Sequence, residues 1–325
     1  MRAIASAVWA SRPAVGRRTE RTVAADPRVV DELTRMAPGQ VLVDEPMARH
    51  TSFGLGGPAD LFIEPEDSST FRACADYLAD TGVPVLTLGR GTNVLVRSGG
   101  IEGAVLTGMK AFTTLERTDD GVRAGGGVGL PRLLEFCATN GLAGLAGLAG
   151  IPGTAGGAVV TNAGSFDVTI ADRLTGIRAS KPGGSSSYIA RDEIPMSYRR
   201  TELPGELFVE EMELSLNPGD PAEIAAAQRE TLEKKWKRQP TGMRSAGCVF
   251  KNPDEGAAGR LIDEAGLKGT RVGGAVVSDL HANFILNDRG ATAEDVEELV
   301  EIVRERVASA AGVTLELEVE VVGRR

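Results

Sequence analysis

Between Gly141 and Gly164 the chain reads GLAGLAGLAGIPGTAGGAVVTNAG, almost entirely glycine, alanine and small aliphatic residues. Such a stretch is either a flexible linker or a loop ordered by packing against a larger fold. Leucine, isoleucine and valine recur throughout it, which linkers avoid, so an ordered small-residue loop is expected ahead of a linker. Within it, the run Ile151 to Ala158 is dense enough in glycine and alanine to let either another backbone or a large flat ligand approach the main chain closely. Glycine is also frequent overall, at 41 of 325 residues, against a usual share of about 7%.

The rest of the chain alternates strand and helix patterns. Ala59 to Glu64 is strand-like. Asp67 to Asp80 reads as a helix with capping residues Asp67, Ser68 and Ser69 and an apolar stripe through Phe71, Cys74 and Leu78. Val83 to Leu88 is a short, nearly all-apolar run, as expected of a strand covered on both faces. It empties into Gly89-Arg90-Gly91-Thr92-Asn93 and re-enters a strand at Val94-Leu95-Val96. A second unit follows, with a strand from Val122 to Gly127, a helix from Pro131 to Thr139 with proline in its first turn, and a hairpin of Arg173 to Ser180 with Ser185 to Ala190. Further helices are expected over Ala222 to Trp236, Ala257 to Ala265 and Thr292 to Ala310, with strand-like segments near Cys248 and Ile285. The chain closes on Val313 to Val322, a strict alternation expected to form one strand. A length of 325 residues suggests two domains, give or take one. The boundaries drawn are a variable leader over 1–44 with a brief helical pattern at Asp31 to Met36, parts at 45–110 and 111–220, and a terminal part at 221–325, with a seam near Asn217-Pro218-Gly219-Asp220.

Composition excludes several classes. A net charge of −9 and 4% aromatic residues disfavour binding to phosphate backbones or stacking on strings of bases. Cys74, Cys137 and Cys248 are scattered, and His50 and His281 are the only histidines, so neither a disulfide framework nor a metal cage is expected. Unpaired cysteines fit a reducing compartment. No run of 18 apolar residues occurs, and the start has its basic residues after the short apolar stretch, opposite to a signal peptide. A cytoplasmic protein without membrane partners is expected.

The loop GRGTNVLV follows a strand and returns to one. A dinucleotide fingerprint needs its glycines to open a helix, and a phosphate loop needs Gly-Lys-Ser/Thr; both are absent. What remains is a turn that exposes backbone N–H groups with Thr92 and Asn93 at its tip. It suits a pyrophosphate, or serves only as a tight strand-to-strand turn. Two separate glycine loops together favour an extended cofactor carrying a diphosphate.

GRGTNVLV, GIPGTAGGAVVTNAG, MSYRR, AGCVFKNP, GRLIDEAGLKG, VSDLHANFILN and LELEVEVVG occur in this order. This succession, spanning about residues 47 to 323, resembles the UDP-N-acetylenolpyruvoylglucosamine reductases. The short spacing between MSYRR and AGCVFKNP resembles the compact second type of that family. The resemblance implies an α+β fold: an FAD-binding domain of the vanillyl-alcohol-oxidase type in two α/β subdomains, followed by a smaller α/β substrate-binding domain. It implies FAD as cofactor, NADPH as co-substrate, and UDP-N-acetylglucosamine enolpyruvate as the substrate reduced to UDP-N-acetylmuramate in peptidoglycan precursor synthesis. A monomer with no nucleic-acid partner is expected.

Carried over residue by residue, the proton donor falls on Cys248, where many members have serine. A thiol, with an unperturbed pKa of about 8.5, is the better donor, although a lone cysteine is usually a small buried hydrophobe. Arg199 matches the arginine that would pair with the substrate carboxylate; by itself the pair Arg199-Arg200 is an ordinary solvated feature. Glu318 matches the catalytic glutamate, although Glu316, Glu318 and Glu320 share one face of the expected strand and could all be wet. The family usually has proline at Leu317, and commonly glutamate at Ala146. For the flavin, Gly89, Gly91, Thr92 and Asn93 are expected at one loop, and Gly153, Gly157, Asn162 and Gly164 at the other. For the UDP-sugar, Lys251, Asn252 and Arg238 are expected. His281 is expected to be structural and His50 to serve packing. An FAD-dependent oxidase with another substrate, or an inactive UDP-sugar-binding regulator, are the competing readings.

Overall fold

The computed structural model describes residues 8–9, 24, 26–203 and 207–325. These fall into two compact units. One contains the described residues up to Glu45 together with Ala59–Arg90 and Glu102–Leu232, and the other contains Pro46–Pro58, Gly91–Ile101 and Glu233–Arg325. The boundaries drawn at 44, 110 and 220 group the chain differently, because two short early segments belong with the C-terminal third. The reason is a parallel strand pair: Val94–Val96 aligns with Glu320–Val322, Val94 opposite Glu320. Parallel neighbours need a long crossover, and no local pattern announces which distant segment will return.

In the first unit, one five-stranded sheet has the order Val8–Trp9, Val85–Thr87, Ile101–Leu106, Pro58–Ile63, Val41–Pro46. The helix Ser68–Asp80 starts where the Asp67 side chain accepts from the Thr70 N–H. Hydrogen bonds from the Ser69 hydroxyl and from Thr70 hold that carboxyl down at about 2. Its buried face is the expected stripe of Phe71, Cys74 and Leu78. The segment read as the end of a leader is part of this core: Pro27–Met36 forms a helix capped by Asp26, and its Val29 and Leu33 pack with Phe71 and Leu78. The second sheet is antiparallel throughout, in the order Ser187–Ala190, Leu174–Ser180, Phe208–Ser215, Gly121–Gly125, Leu115–Thr118. The helix Leu130–Thr139 buries Leu133, Leu134 and Cys137 in one core with Ile177, Val209 and Met212. Leu142, Leu145, Leu148, Ala155 and Val159 are buried in the same core, so the small-residue stretch is an ordered element.

The second unit is built on a three-stranded sheet of Arg271–Val272, Ala275–Val277 and Ile285–Asn287. The helices Ala258–Glu264 and Ala293–Ala311 bury Ile262, Val296, Leu299, Val303 and Val307 in one core with Phe53, Leu95 and Phe250. The long final helix starts on a capping box of Thr292 and Asp295 and stops at Gly312 in the left-handed conformation. The expected closing strand Val313–Val322 is not continuous. Leu317 pairs with Phe250, and regular pairing resumes only over Glu320–Val322. Between them the N–H groups of both Glu318 and Val319 donate to the Val249 carbonyl, at 2.8 and 3.3 Å. Two residues oppose one, which is a bulge, and period-two alternation in sequence cannot reveal it.

Glu210 ties the parts of the first unit together. It is 1% exposed, and both carboxylate oxygens are held by Arg72 at 2.7 Å while the Ser186 hydroxyl donates to one of them. Burial alone would push this carboxyl up, but the hydrogen bonds from Arg72, Ser180 and Ser186 and the Arg72 charge outweigh it, leaving it below the ordinary value. Its ionised form therefore adds stability at neutral pH that is lost as pH falls through the carboxylate range. Replacing Arg72 by methionine leaves a buried charge without its partner, with an expected cost of about 3 kcal/mol at pH 7. Burial then dominates and raises Glu210, so the variant loses stability as pH rises. Urea midpoints should show the gap to wild type wider at pH 7 than at pH 4; an equal gap at both would contradict this account.

Candidate active site

The first glycine loop begins where the strand Val85–Thr87 ends, with the Leu88 N–H bonded to the Leu106 carbonyl. Gly91 has φ +60°, and a Cβ there would lie 2.1 Å from the His50 carbonyl oxygen, so only glycine fits. The Gly91 carbonyl accepts from the Ser52 N–H at 3.0 Å. By contrast, none of the backbone N–H groups of Gly89, Arg90, Gly91, Thr92 and Asn93 donates to an acceptor among the described residues. A row of amide donors in a tight turn is chemistry for a diphosphate. Thr92 is half-buried. Asn93 donates from Nδ2 to the Glu318 carbonyl at 3.2 Å and accepts from the Glu320 N–H, so it also anchors the C-terminal segment.

The second loop lies against Gly89. A Cβ on Gly89 would be 2.7 Å from Thr154 Oγ1, and Thr154 caps the short helix Ala155–Val160 by accepting from the Gly157 N–H. Gly153, Ala155 and Gly156 are knitted to 126–130 by Leu130 N–H to Gly153, Ala155 N–H to Val128 and Gly156 N–H to Gly126. Gly157 behaves differently. It is exposed, its φ is not positive, and a Cβ there would meet only Thr154 Oγ1 at 3.4 Å. Nothing among the described residues requires a glycine at this helical position, where it is destabilising by roughly 0.5–1 kcal/mol relative to alanine. A ligand lying on the backbone would require it. Each loop, taken by itself, fits part of a bound dinucleotide such as FAD. Gly164 is explained internally: it pairs with Thr169 in a small hairpin, and a Cβ would clash with the Thr169 side chain.

Arg199 sits at the tip of a hairpin whose two strands are Met196–Ser197 and Arg200–Thr201. Its φ is +54°, a left-handed conformation costing an ordinary residue about 1–2 kcal/mol. Its Nε is buried and its guanidinium carbon lies 5.2 Å from the centre of the exposed Tyr198 ring. Arg200 is exposed and paired with Glu202. Asn162, expected beside the flavin, is buried and spends its amide on protein: Nδ2 donates to the Ser197 carbonyl at 2.9 Å and Oδ1 accepts from the Ala171 N–H at 3.0 Å.

In the second unit the segment carrying Cys248 is clamped on both sides. Val249 N–H donates to the Asn283 carbonyl at 2.8 Å, and the Asn283 side chain bonds both the N–H and the carbonyl of Phe250. On the other side Lys251 N–H donates to Glu316, and Glu318 and Val319 donate to Val249. Cys248 and Glu318 are thus carried on neighbouring, hydrogen-bonded segments, and the bulge redirects the chain at Glu318. Cys74 and Cys137 are buried, their thiols pushed up by desolvation to about 11 and about 12; Cys248 alone is partly exposed. Of the three glutamates expected on one face, Glu316 has a side chain 78% exposed and faces Lys251 at 3.7 Å, whereas Glu318 and Glu320 are half-buried. Asn252 is exposed and accepts the Ala258 N–H at the start of a helix with no side-chain cap of its own. Arg238 is exposed just beyond the helix Pro221–Trp236. His281 accepts from the Asn283 N–H and packs edge-on to Phe284, and burial lowers its pKa, a structural role. Among the described residues no group of three or more His, Cys, Asp or Glu could hold a metal. The clamp by Asn283 and the cap by Thr154 escaped the sequence reading; a buried asparagine at the head of FILN and a threonine after Pro-Gly were the signals.

Residues 59–186 match the FAD binding domain family, and residues 239–322 match the C-terminal domain family of UDP-N-acetylenolpyruvoylglucosamine reductase. The UDP-N-acetylenolpyruvoylglucosamine reductase of Geobacter metallireducens is 43% identical, covering 88% of this chain and 95% of its own. That of Desulfosudis oleivorans is 42% identical over 90% and 97%. The chain belongs to the UDP-N-acetylenolpyruvoylglucosamine reductase family. It is an FAD-containing oxidoreductase, with an FAD-binding domain followed by the reductase family's C-terminal domain. The crystal structure of the reductase from Thermus caldophilus superposes with a TM-score of 0.75 at 36% identity, covering 87% of this chain and 98% of that one.

Gly157→Ala tests the ligand argument for this family member. It should raise the thermal midpoint of the flavin-free protein while lowering the flavin retained on purification, read as the ratio of visible to ultraviolet absorbance. Full flavin retention would mean that no ligand approaches this backbone.

Proposed function

We propose that the protein adds a hydride and a proton across the double bond of UDP-N-acetylglucosamine enolpyruvate, giving UDP-N-acetylmuramate for peptidoglycan precursor synthesis, and that Cys248, Arg199 and Glu318 carry the chemistry. The chemistry that bound FAD would supply here is hydride transfer, drawn from NADPH, to the terminal carbon of the enolpyruvyl ether. The residues for holding it are Gly89, Gly91, Thr92 and Asn93 at one loop and Gly153 and Gly157 at the other. As hydride arrives, negative charge spreads from the adjacent carbon onto the carboxylate, where the Arg199 guanidinium forms a charge-assisted pair. Cys248 gives its thiol proton to that carbon and is reprotonated from solvent. Glu318 completes the acid and enol-stabilising group. Lys251 and Arg238 supply positive charge for the diphosphate of the UDP-sugar. Residues 45–220 are proposed to serve the cofactor and 221–325 the sugar nucleotide. A cytoplasmic monomer with no nucleic-acid or membrane partner completes this reading; the acidic net charge of −9 supports the absence of a phosphate-backbone partner.

The observation that carries the assignment of Cys248 is its contrast with the other two cysteines. Cys74 and Cys137 are buried, with thiols driven up by desolvation, whereas Cys248 is partly open on a segment fixed from both sides. Fixing the donor matters because a general acid contributes about 10²–10⁴ in rate only when it is aimed at the carbon it protonates.

Cys248→Ala should keep its flavin and still be bleached by NADPH, but regain colour with the enolpyruvyl sugar about 10²–10⁴ more slowly. Cys248→Ser should retain substantial turnover. Normal steady-state turnover by the alanine variant removes Cys248 from the mechanism. Oxygen consumption driven by some other substrate, without NADPH, would indicate an oxidase instead.

A further inference from the structure

We infer that Asn162 is a positioning residue for the reductase reaction: its buried side-chain amide holds the Arg199 turn in its left-handed conformation and so fixes the guanidinium in its working geometry. The inference rests on the proposed role of Arg199. A non-glycine residue at φ +54° persists only where its surroundings over-determine it. Those surroundings are visible within the first unit. On the strand before the turn, Asn162 Nδ2 donates to the Ser197 carbonyl at 2.9 Å. On the strand after it, the Thr201 hydroxyl donates to the Val159 carbonyl, and the Glu202 N–H donates to Pro195 at 2.9 Å. Val159 lies in the last turn of the glycine-loop helix and Asn162 just beyond its C-cap Thr161, so the turn is fastened at two points to the end of that element.

Asn162 is itself well placed to do this. It is 4% exposed and has φ +42°, a conformation asparagine tolerates better than most residues. Its Oδ1 accepts the Ala171 N–H at 3.0 Å, which orients the amide so that its nitrogen faces Ser197. With oxygen and nitrogen both engaged by protein, the amide is better matched to holding Arg199 than to contacting the flavin.

The test uses the full-length flavoprotein and three variants: Asn162→Asp, Arg199→Met and the double variant. Aspartate is nearly isosteric, tolerates positive φ and still accepts from Ala171, but cannot donate to Ser197 when ionised. Asn162→Gly, which relieves the backbone and deletes the amide, serves if the aspartate variant does not fold. Flavin content is read by absorbance, and colour return is followed after NADPH reduction and addition of the enolpyruvyl UDP-sugar. Asn162→Asp should retain its flavin and regain colour about 100-fold more slowly, the scale expected when a reacting group is misplaced by about 1 Å. The double variant should be no slower than Arg199→Met alone, because Asn162 acts through Arg199. A double variant slowed by a further 100-fold, loss of flavin from Asn162→Asp, or colour return at the wild-type rate in that variant beside a slow Arg199→Met would each overturn the positioning role alone. Colour return at the wild-type rate in Arg199→Met would overturn the role of Arg199 itself, and this inference with it.

Discussion

The first unit depends on one carboxylate removed from water. Glu210 lies on the central strand Phe208–Ser215 of the antiparallel sheet, and Arg72 reaches it from the helix that covers the other sheet. An unpaired carboxylate at this depth would be costly, so the ion pair makes the position of the helix conditional on that of the strand. The backbone carbonyl of Glu210 also accepts the Gly126 N–H, and Gly126 in turn accepts from Gly156 in the second glycine loop. Phe71, Phe112 and Phe208 pack around the same junction, with ring centroids 4.3–5.1 Å apart. The ion pair, the aromatic contacts and the glycine cradle are therefore one connected arrangement.

Glycines in this chain serve two masters that the structure separates. Gly91 and Gly164 are required by neighbouring protein atoms, which a Cβ would strike. Gly157 lies on an exposed helical turn where, among the described residues, a Cβ would meet only Thr154 Oγ1 at 3.4 Å. The same logic divides the asparagines. Asn162 and Asn283 spend their amides on clamping the turns that carry Arg199 and Cys248. The exposed Asn252 uses its Oδ1 to accept the Ala258 N–H at the start of a helix.

Much of the architecture was legible locally. The helix after Asp67, the strand before Gly89 and the hairpin around 181–186 follow from capping residues, apolar stripes and turn residues, all of which act within a few positions. Three features were not. The helix Pro27–Met36 looked like a leader because only Val29 and Leu33 of it are fully buried, and that burial is decided by Phe71 and Leu78, far along the chain. The closing strand looked regular because alternation carries no sign of a bulge whose cause is the Val249 carbonyl. The segment Gly91–Ile101 looked continuous with what precedes it because the partner of Val94–Val96 lies at Glu320–Val322.

Sequence alone determined the alternation of strands and helices and the two glycine loops, while its seven ordered motifs carry the resemblance to the family. Those properties depend on residue type at short spacing, where backbone sterics and capping act. Tertiary structure alone decided which glycines are hemmed in by neighbouring backbone, that Asn162 faces Ser197, that Cys248 is the one partly open cysteine, and that the chain bends at Glu318. Each of these depends on an atom contributed by a part of the chain that the local pattern cannot specify: a carbonyl, an amide or a buried wall.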